Sequence, residues 1–333
     1  MCNILVTQNY NLLLSKGLGR RKDSQPEETM AKERSKLLEE INKIFAENQD
    51  SKNEELMFTY RGVLYPSRLC SAKTFEALEG MEARKEDVLV ATYPKCGTNW
   101  ALQILNDILA AHYEDFQMPL TIPMLEFGAP EKFQQIKDQP SPRLFSTHLH
   151  YDNIPKSFIE NKVKILVIFR NPKDAAVSYY HFYNKHPLLP TSSSWDDFFQ
   201  KFMSGEVGWK SYFDHALVWD KHMDEVNVKI MTFEELKENL HEGVKQIADF
   251  YDFPLPEEKI QSIAEKATFQ TMKSEAPQKI GAFAPVVFRK GVVGDWKTLF
   301  TEAQSQEMDA KFEECLAGTK LGTKLKYDKY CKF

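Results

Sequence analysis

Short apolar runs alternate with longer stretches of helical spacing along most of the chain. The apolar runs are strand-sized and rich in β-branched residues, and they cover residues 88–91, 143–147, 162–169 and 227–233. Apolar residues at helical spacing predict helices at residues 36–45, from 98 onward, from 172 onward, and at 195–202, 212–222, 234–251, 257–267 and 302–316. Strands that alternate with helices indicate parallel crossovers. The pattern therefore predicts an α/β fold: a single three-layer domain whose central parallel sheet has helices on both faces.

Three segments lack this alternation. Residues 116–142 are interrupted by prolines, which predicts a mostly irregular segment along a surface or a pocket rim. Residues 273–294 contain further prolines and glycines, and we expect a long lid or binding loop there. At the N-terminus, residues 1–30 are expected to form a disordered extension, so that the domain comprises residues 31–333. A short strand and turn are predicted at residues 58–66.

The first strong candidate for chemistry is the strand, loop and helix of residues 87–113. Pro94 and Gly97 end the strand, and the helix begins just after them. Such a loop presents backbone N–H groups and the positive end of the helix dipole, to which Lys95, Thr98 and Asn99 add a cation and side-chain donors. The stretch is P-loop-like and suits a phosphate. It lacks the glycine spacing and the Gly-Lys-Ser/Thr ending of nucleotide hydrolases.

More cations follow later strands and loops. Arg170 directly follows the most apolar strand, Ser178 lies in the helix after it, and Arg289 and Lys290 lie in the late loop. Together with the first loop they predict a ligand with two separated anionic groups. Each residue alone also fits a simpler interpretation, in which Arg170 caps a sheet edge and Arg289 and Lys290 form a solvated pair.

His148 and Cys96 are the candidate reactive side chains. His148 ends a predicted strand and is a candidate general base, because an imidazole titrates near neutral pH; a structural histidine is the alternative. Cys96 lies at a helix N-terminus beside Lys95, which predicts a lowered thiol pKa. It has no basic partner in the sequence pattern, so we interpret it as a small loop residue. His150, His181 and His186 have no carboxylate partner at the spacing of a metal-binding helix, and we expect no metal.

Composition narrows the function further. The formal net charge of −5 argues against a nucleic-acid binder. Five cysteines without paired spacing favour a reducing, cytoplasmic setting over a disulfide framework. No apolar run approaches the length of about 20 residues that a membrane span needs, so we expect no membrane partner. The predicted partner is a small molecule.

Taken in order, these motifs resemble those of the cytosolic sulfotransferases. The resemblance covers roughly residues 50–320 and is strongest to the B branch of the sixth vertebrate family. It implies 3′-phosphoadenosine 5′-phosphosulfate as the co-substrate and a hydroxyl or amine of a small, mostly apolar molecule as the acceptor. The motifs are Tyr93-Pro94-Lys95-Cys96-Gly97-Thr98-Asn99-Trp100, Thr147-His148-Leu149, Arg170-Asn171-Pro172-Lys173-Asp174 through Phe182, and Phe288-Arg289-Lys290-Gly291 with Gly294-Asp295-Trp296-Lys297.

The resemblance also implies a role for each motif residue. His148 would be the general base, and Lys95 would neutralise charge on the leaving phosphate. The donor's 5′-phosphosulfate would lie on Lys95, Cys96, Gly97, Thr98 and Asn99, its adenine on Trp100, Phe233 and Phe269, and its 3′-phosphate on Arg170, Ser178, Arg289, Lys290 and Gly291. Met124, Phe127 and Phe182 are candidates for the acceptor pocket. No metal is required.

This chain departs from the family at four points. Phe233 stands where the family often has Tyr, Ala267 where it often has Thr, and Ser146 where it commonly has Lys. The dimer motif is altered as well, so a homodimer is possible but not implied. These departures leave open a second hypothesis, a nucleotide-binding module with weak or no catalysis. A nucleotide kinase is a third, which the missing Gly-Lys-Ser/Thr disfavours.

Overall fold

The computed structural model shows how these segments pack. It describes residues 35–36, 39, 42–43, 56–114, 116 and 124–333. The predicted extension at residues 1–30 lies outside the described residues. Within the predicted helix at 36–45, the residues that are described are helical.

In the part of the chain that the structure describes, six strands form two sheets. Met57–Tyr60 (β1) and Val63–Pro66 (β2) pair as an antiparallel hairpin. The main sheet has the order β4-β3-β5-β6, and all its strands are parallel. Its strands are Val88–Thr92 (β3), Leu144–Thr147 (β4), Lys164–Phe169 (β5) and Val228–Thr232 (β6).

Helices connect the strands of the main sheet and follow its last strand. Those before β5 are Ala72–Glu79 (α1), Thr98–His112 (α2), Lys132–Lys137 (α3) and Lys156–Glu160 (α4). Between β5 and β6 lie Pro172–Lys185 (α5), Trp195–Ser204 (α6) and Tyr212–Asp220 (α7). After β6 come Phe233–Glu238 (α8), Leu240–Phe250 (α9), Glu257–Lys266 (α10), Phe269–Ile280 (α11), Ala284–Val287 (α12), Glu302–Cys315 (α13), Lys320–Lys324 (α14) and Tyr327–Tyr330 (α15).

The core lies on both faces of the main sheet. Side chains alternate along each strand, so Leu89 and Val167 enter one apolar cluster while Val90 and Ile168 enter the other. Helix α2, with α9 and α10, covers the second face, and α5 to α7 cover the first. Both faces are therefore buried, as in other parallel sheets. The predicted three-layer α/β domain is confirmed.

Two predictions about local structure are wrong. The helix predicted at residues 234–251 is broken at Asn239, whose extended backbone ends α8 and whose side chain caps α9. Residues 273–294 are not one long loop, because α11 continues through Pro277 to Ile280 and α12 follows. In addition, the irregular segment at 116–142 contains the short helix α3.

The parallel sheet brings three candidate residues to one edge. β3, β4 and β5 are neighbours, so their carboxyl ends lie together. His148 directly follows β4, Arg170 directly follows β5, and Lys95 lies in the loop after β3. This edge is the usual position of ligand crevices in open α/β sheets. Among the described residues, no helix is both long and apolar enough to cross a membrane.

Candidate active site

The loop between β3 and α2 has the geometry of an anion-binding turn. Lys95 and Gly97 both have positive φ, 69° and 113°, so the chain turns sharply before α2 begins at Thr98. Among the described residues, no side chain caps this end of the helix. The first N–H groups of α2 carry the positive end of the helix dipole. The geometry fits an anion, and phosphate binding at this turn stays a prediction.

Lys95 lies among aromatic and cationic neighbours. Its Nζ is 4.0 Å from the centre of the Phe182 ring. Burial, together with the charges of Arg170 and Arg289, lowers the pKa of Lys95 to about 7. An anion placed beside this ammonium group would favour its charged form.

The hydrogen bonds of His148 determine which ring nitrogen carries the proton. Nδ1 lies 2.8 Å from the carbonyl oxygen of Thr92. A carbonyl oxygen only accepts, so Nδ1–H is the donor and Nε2 keeps its lone pair. Burial and the charge of Lys95 together lower the pKa of His148 to about 4 in spite of this hydrogen bond. The imidazole is therefore neutral near pH 7 and able to accept a proton at Nε2.

Two arginines on different elements face the same region. The guanidinium carbon of Arg170 is 4.5 Å from the centre of the Phe233 ring, and its Nη2 donates to the carbonyl of Val292 at 2.8 Å. Arg289 pairs with Asp295 at 2.5 Å. The Nε atoms of Arg170 and Arg289 are both buried without a hydrogen-bond partner in the part of the chain that the structure describes. An anionic ligand would supply the acceptors that these donors lack.

Helix α5 holds the loop that carries Arg289 and Lys290. Asp174 accepts hydrogen bonds from the backbone N–H groups of Gly294 and Trp296, at 2.8 and 2.9 Å. Ser178 lies one helical turn beyond Asp174 and so occupies the same face of α5. Lys290 is fixed from the other side, with Nζ 2.6 Å from Asp295. The structure thus connects Arg170 and the loop of Lys290 through the first turn of α5, and binding of a 3′-phosphate there stays a prediction.

An aromatic wall lies beside the cradle. The rings of Trp100 and Phe233 are 5.0 Å apart, and Trp100 Nε1 donates to the carbonyl of Ala267 at 2.7 Å. Gly291 has φ of 63°, and a Cβ there would lie 2.1 Å from the Phe269 ring. Only glycine therefore fits this close approach. The three aromatic residues predicted for the adenine lie in the first turns of three helices, Trp100 in α2, Phe233 in α8 and Phe269 in α11.

Cys96 differs from its predicted chemistry. The side chain is fully buried, and burial raises the pKa of its thiol to about 12 although the charge of Arg170 opposes this. The predicted lowering of its pKa is wrong, because desolvation outweighs the helix dipole and the neighbouring cations. The interpretation of Cys96 as a small loop residue fits this burial.

The candidate acceptor residues connect to His148 and Lys95 through different contacts. Met124 pairs with Ser146 in an isolated parallel bridge, two residues before His148. The Phe127 ring is 6.0 Å from Trp209, whose ring lies edge-on to His148 at 5.0 Å. Phe182 contacts Lys95, as described above. Within the described residues, no group of three His, Cys, Asp or Glu side chains could hold a metal ion.

Comparison with known proteins identifies the family. The family model for the sulfotransferase domain matches residues 85–320, which include the cradle, His148, Arg170 and the loop of Arg289. The chain belongs to the sulfotransferase family.

Curated relatives place this sulfotransferase within the family. Sulfotransferase 6B1 of Homo sapiens is 51% identical over 301 residues, which cover 90% of this chain and 99% of the relative. Sulfotransferase 6B1 of Mus musculus is 49% identical over 299 residues, with 90% and 99% covered. The predicted resemblance to the B branch of the sixth family is confirmed, and the chain is a sulfotransferase enzyme.

A solved structure has the same fold. The crystal structure of mouse sulfotransferase SULT7A1 complexed with PAP is 32% identical to this sulfotransferase, with a TM-score of 0.75. The match covers 83% of this chain and 99% of the mouse chain.

Sequence reasoning missed one group at the site of this sulfotransferase, the carboxylate of Glu126. Glu126 is completely buried, and its carboxylate accepts hydrogen bonds from the His148 backbone N–H at 2.8 Å and from Thr147 Oγ1 at 2.9 Å. Trp209 Nε1 donates to the same carboxylate at 3.2 Å. The available signal was a single carboxylate within the apolar stretch of residues 124–127. Trp209 comes from a distant loop and carried no signal of its own.

Proposed function

We propose that this sulfotransferase moves the sulfuryl group of 3′-phosphoadenosine 5′-phosphosulfate to a hydroxyl or amine of a small, mostly apolar acceptor. The donor is supported by the PAP complex of the mouse relative. It is also supported by the two separated groups of cations and donors on this chain. The observation that carries the mechanism is the neutral His148 whose Nδ1–H donates to Thr92, because this leaves Nε2 free to accept the acceptor's proton.

The residues present fit the two anionic ends of the donor. The turn before α2 offers backbone N–H groups and Lys95 to the 5′-phosphosulfate, and the buried Nε groups of Arg170 and Arg289 lack acceptors that a 3′-phosphate would supply. The aromatic wall suits a flat base between the two. The proposed donor residues are Lys95, Cys96, Gly97, Thr98, Asn99, Trp100, Arg170, Ser178, Phe233, Phe269, Arg289, Lys290 and Gly291.

In the proposed transfer, His148 acts as general base. Nε2 takes the proton from the acceptor's hydroxyl or amine while that atom's lone pair forms a bond to sulfur. The bond between sulfur and the 5′-phosphate oxygen breaks in line, and its electron pair leaves on the phosphate. The products are the sulfated acceptor and adenosine 3′,5′-bisphosphate (PAP).

Lys95 is proposed to stabilise the leaving phosphate. Its ammonium group lies in the turn that would hold the 5′ end, and the helix N–H groups of α2 point to the same region. Charge grows on the bridging oxygen as the bond to sulfur breaks, so donors already in place there lower the barrier. The low pKa of Lys95 means that its charge is best stabilised when this anion is present.

The acceptor site is proposed to be apolar and small. Met124, Phe127 and Phe182 lie next to Ser146, Trp209 and Lys95, respectively. Apolar walls with one base and one cation suit flat phenols and other alcohols. We expect the protein to act in the cytoplasm, and a homodimer stays a prediction.

The test combines transfer with binding. Labelled donor is incubated with a panel of phenols, steroids, iodothyronines and amines, and release of adenosine bisphosphate is measured. We expect H148A to lose transfer by about 10²- to 10⁴-fold, since a positioned base contributes that much. Its PAP affinity, measured by calorimetry, should stay unchanged.

His241 offers a matched control. It is a partly exposed histidine that pairs with Glu257 away from the sheet edge, so H241A should keep wild-type transfer. Wild-type turnover in H148A would remove His148 from the mechanism. Tight PAP binding by the wild type without transfer to any acceptor in the panel would favour the binding-module hypothesis instead.

A further inference from the structure

Glu126 links the candidate base to the candidate acceptor pocket. Its Oε1 accepts from the backbone N–H of His148 at 2.8 Å and from Trp209 Nε1 at 3.2 Å. Its Oε2 accepts from Thr147 Oγ1 at 2.9 Å. The carboxylate therefore holds the residue before His148, the backbone of His148 itself, and the indole that lies edge-on to the imidazole.

The contacts of Glu126 Oε1 are those of an acceptor. The His148 N–H and the Trp209 Nε1–H can only donate, and both point to this oxygen. Burial raises the pKa of Glu126 above its ordinary value, although the hydrogen bonds from His148 and Thr147 and the charge of Lys132 oppose this. A buried carboxylate that is fully hydrogen-bonded holds its partners rigidly, because each lost contact leaves a buried polar group unsatisfied.

The segment around Glu126 is held from its other side by Lys132. The Nζ of this nearly buried lysine donates to the carbonyl oxygens of Met124 at 2.8 Å and of Leu125 at 2.7 Å, and also to that of Phe127. Lys132 thus anchors the main chain of residues 124–127, and the hydrogen bonds described above anchor the side chain of Glu126. This short segment also carries Met124 and Phe127 of the candidate acceptor pocket.

We propose that Glu126 is the positioning residue of the site, which fixes His148 and the acceptor-pocket segment in one rigid unit so that Nε2 meets the acceptor's nucleophile. The proposal rests on the proposed role of His148. Glu126 does not touch the reacting atoms and acts through the backbone of His148 and the ring of Trp209. A displacement of the base by about 1 Å can lower turnover by about 10²-fold. Donor binding does not depend on these contacts.

Three substitutions separate positioning from charge. E126A removes every acceptor, and E126D keeps the charge but shortens the side chain by one carbon–carbon bond of about 1.5 Å. E126Q removes the charge but keeps an oxygen for the N–H groups of His148 and Trp209. We expect kcat to fall by about 10- to 100-fold in E126A and E126D and to recover largely in E126Q. KM for the donor and PAP affinity should stay at wild-type values.

A buried carboxylate at the opposite end of the sheet provides the control. Asp87 precedes β3 and pairs with Arg143 at 2.5 Å, with both side chains buried. D87N should lower the thermal midpoint and leave kcat unchanged. Wild-type kcat in E126A and E126D would overturn the proposal. Parallel loss of PAP affinity in these variants would overturn it too, because it would indicate general unfolding.

A spectroscopic measurement tests the proposal even if no acceptor is turned over. In ¹⁵N-histidine correlation spectra, with His148 assigned by comparison with H148A, wild-type His148 should show a single Nδ1–H tautomer. E126Q should keep this signature and E126D should lose it through tautomer averaging. An unchanged His148 signal in E126D and E126A would overturn the positioning role. Failure of transfer with this pattern intact would count against the proposed function alone.

Discussion

At the scale of single residues, burial at the sheet edge acts on His148 and Lys95 in the same direction. Burial lowers the pKa of His148 to about 4 and that of Lys95 to about 7. For a general base this keeps the imidazole in the neutral form that can accept a proton, and it also makes the imidazole a weaker base than one whose pKa lies near 7. For Lys95, the lowered pKa means that binding of an anion above pH 7 is accompanied by uptake of a proton on Nζ.

The pKa of Lys95 predicts how donor-product affinity depends on pH. Below pH 7 the free lysine is already charged, so binding of PAP needs no proton there. Above pH 7 the free lysine is neutral and must take up a proton to pair with the anion. We expect PAP affinity to fall with rising pH above 7, by at most about tenfold per unit from this one group. Calorimetry in buffers of different ionisation enthalpy would measure the proton uptake.

K95M is the matched variant for this prediction. It keeps an unbranched side chain in the turn but has no proton to gain, so any pH dependence that remains comes from the phosphates of PAP and from other groups. The slope above pH 7 should be smaller in K95M than in the wild type. Equal slopes would show that Lys95 does not gain its proton on binding.

Single residues also show what sequence can reveal. Lys95, His148 and Arg170 were predictable because each follows a strand, and the ends of parallel strands meet. The protonation state of Cys96 was not, since it depends on how deeply the tertiary fold buries the thiol. Glu126 has hydrogen-bond partners from two distant segments, residues 147–148 and Trp209, and no spacing rule joins them. Ser146 is fully buried with a hydroxyl that has no partner among the described residues, a consequence of packing that sequence cannot show.

At the scale of elements, the first turn of α5 ties the sheet to the loop of Arg289. Asn171 caps the helix by accepting from the N–H of Asp174 at 2.8 Å, and Pro172 occupies the first turn, as the sequence predicted. Asp174 itself holds the loop through Gly294 and Trp296. Its carboxylate also lies 3.7 Å from Arg170. One helix start therefore sets the spacing between two of the cations proposed for the 3′-phosphate.

This arrangement predicts a donor-specific defect in D174N. The amide has a single acceptor oxygen for two backbone N–H groups and no charge for Arg170. One buried N–H would lose its acceptor, at a cost of about 1–3 kcal/mol, and the loop would shift. We expect PAP affinity to fall by about 10- to 100-fold, which corresponds to that cost. Calorimetry would measure it, while kcat at saturating donor should change little.

Asp197 provides the comparison for D174N. It lies in the first turn of α6 and pairs with Lys201 at 2.9 Å on the surface, so D197N should bind PAP like the wild type. If D174N binds PAP as tightly as D197N does, Asp174 does not position the cationic loop.

Helix α11 shows where element prediction failed and why. Prolines and glycines in residues 273–294 favoured a loop. The structure instead caps α11 with Thr268, whose hydroxyl accepts from the N–H of Thr271 at 3.3 Å, and buries Met272 and Ala276 at helical spacing. Packing of this face outweighs the hydrogen bond that Pro277 removes from the helix. Helix propensities read from the sequence could not show which of these two effects is larger.

At the scale of the whole molecule, the C-terminal residues pack against α5 and the loop proposed to bind the donor. Lys173 is fully buried, and its Nζ donates to the carbonyl of Cys331 and to Ser305 Oγ, each at 2.6 Å. Trp296 Nε1 donates to the carbonyl of Tyr330 at 2.8 Å, and the Phe333 ring is 4.9 Å from Trp296. Lys173 neighbours Asp174 on α5, so the last residues, α5 and the cationic loop form one packed unit.

This unit could not be predicted from the sequence. The sheet and its crossovers follow from local periodicity, and the order of the strand-end residues follows from the sheet. The contact of Lys173 with Cys331 joins residues 158 positions apart, and nothing in either segment indicates the other. A lysine in the first turn of a helix is ordinarily solvated, so its burial is a result of the assembled fold.

Deletion of residues 330–333 is therefore expected to weaken donor binding from a distance. The deletion removes the Cys331 carbonyl, which is one acceptor of Lys173 Nζ, and the Tyr330 carbonyl, which accepts from Trp296 Nε1. It also removes the Phe333 ring that packs against the indole. Lys173 keeps Ser305 and Asp309 as partners, so the fold should survive with a lower thermal midpoint. The loop that Trp296 anchors should become less ordered, which raises the donor KM and lowers PAP affinity. kcat at saturating donor and the KM for the acceptor should stay near wild type, because His148 and residues 124–127 lie outside this unit.

Scanning calorimetry and PAP titration would measure the thermal midpoint and the PAP affinity, and F333A, which keeps the backbone acceptors, is the matched control. A truncated protein with wild-type PAP affinity, or one whose acceptor KM rises instead, would contradict a role of the C-terminal residues in the donor site.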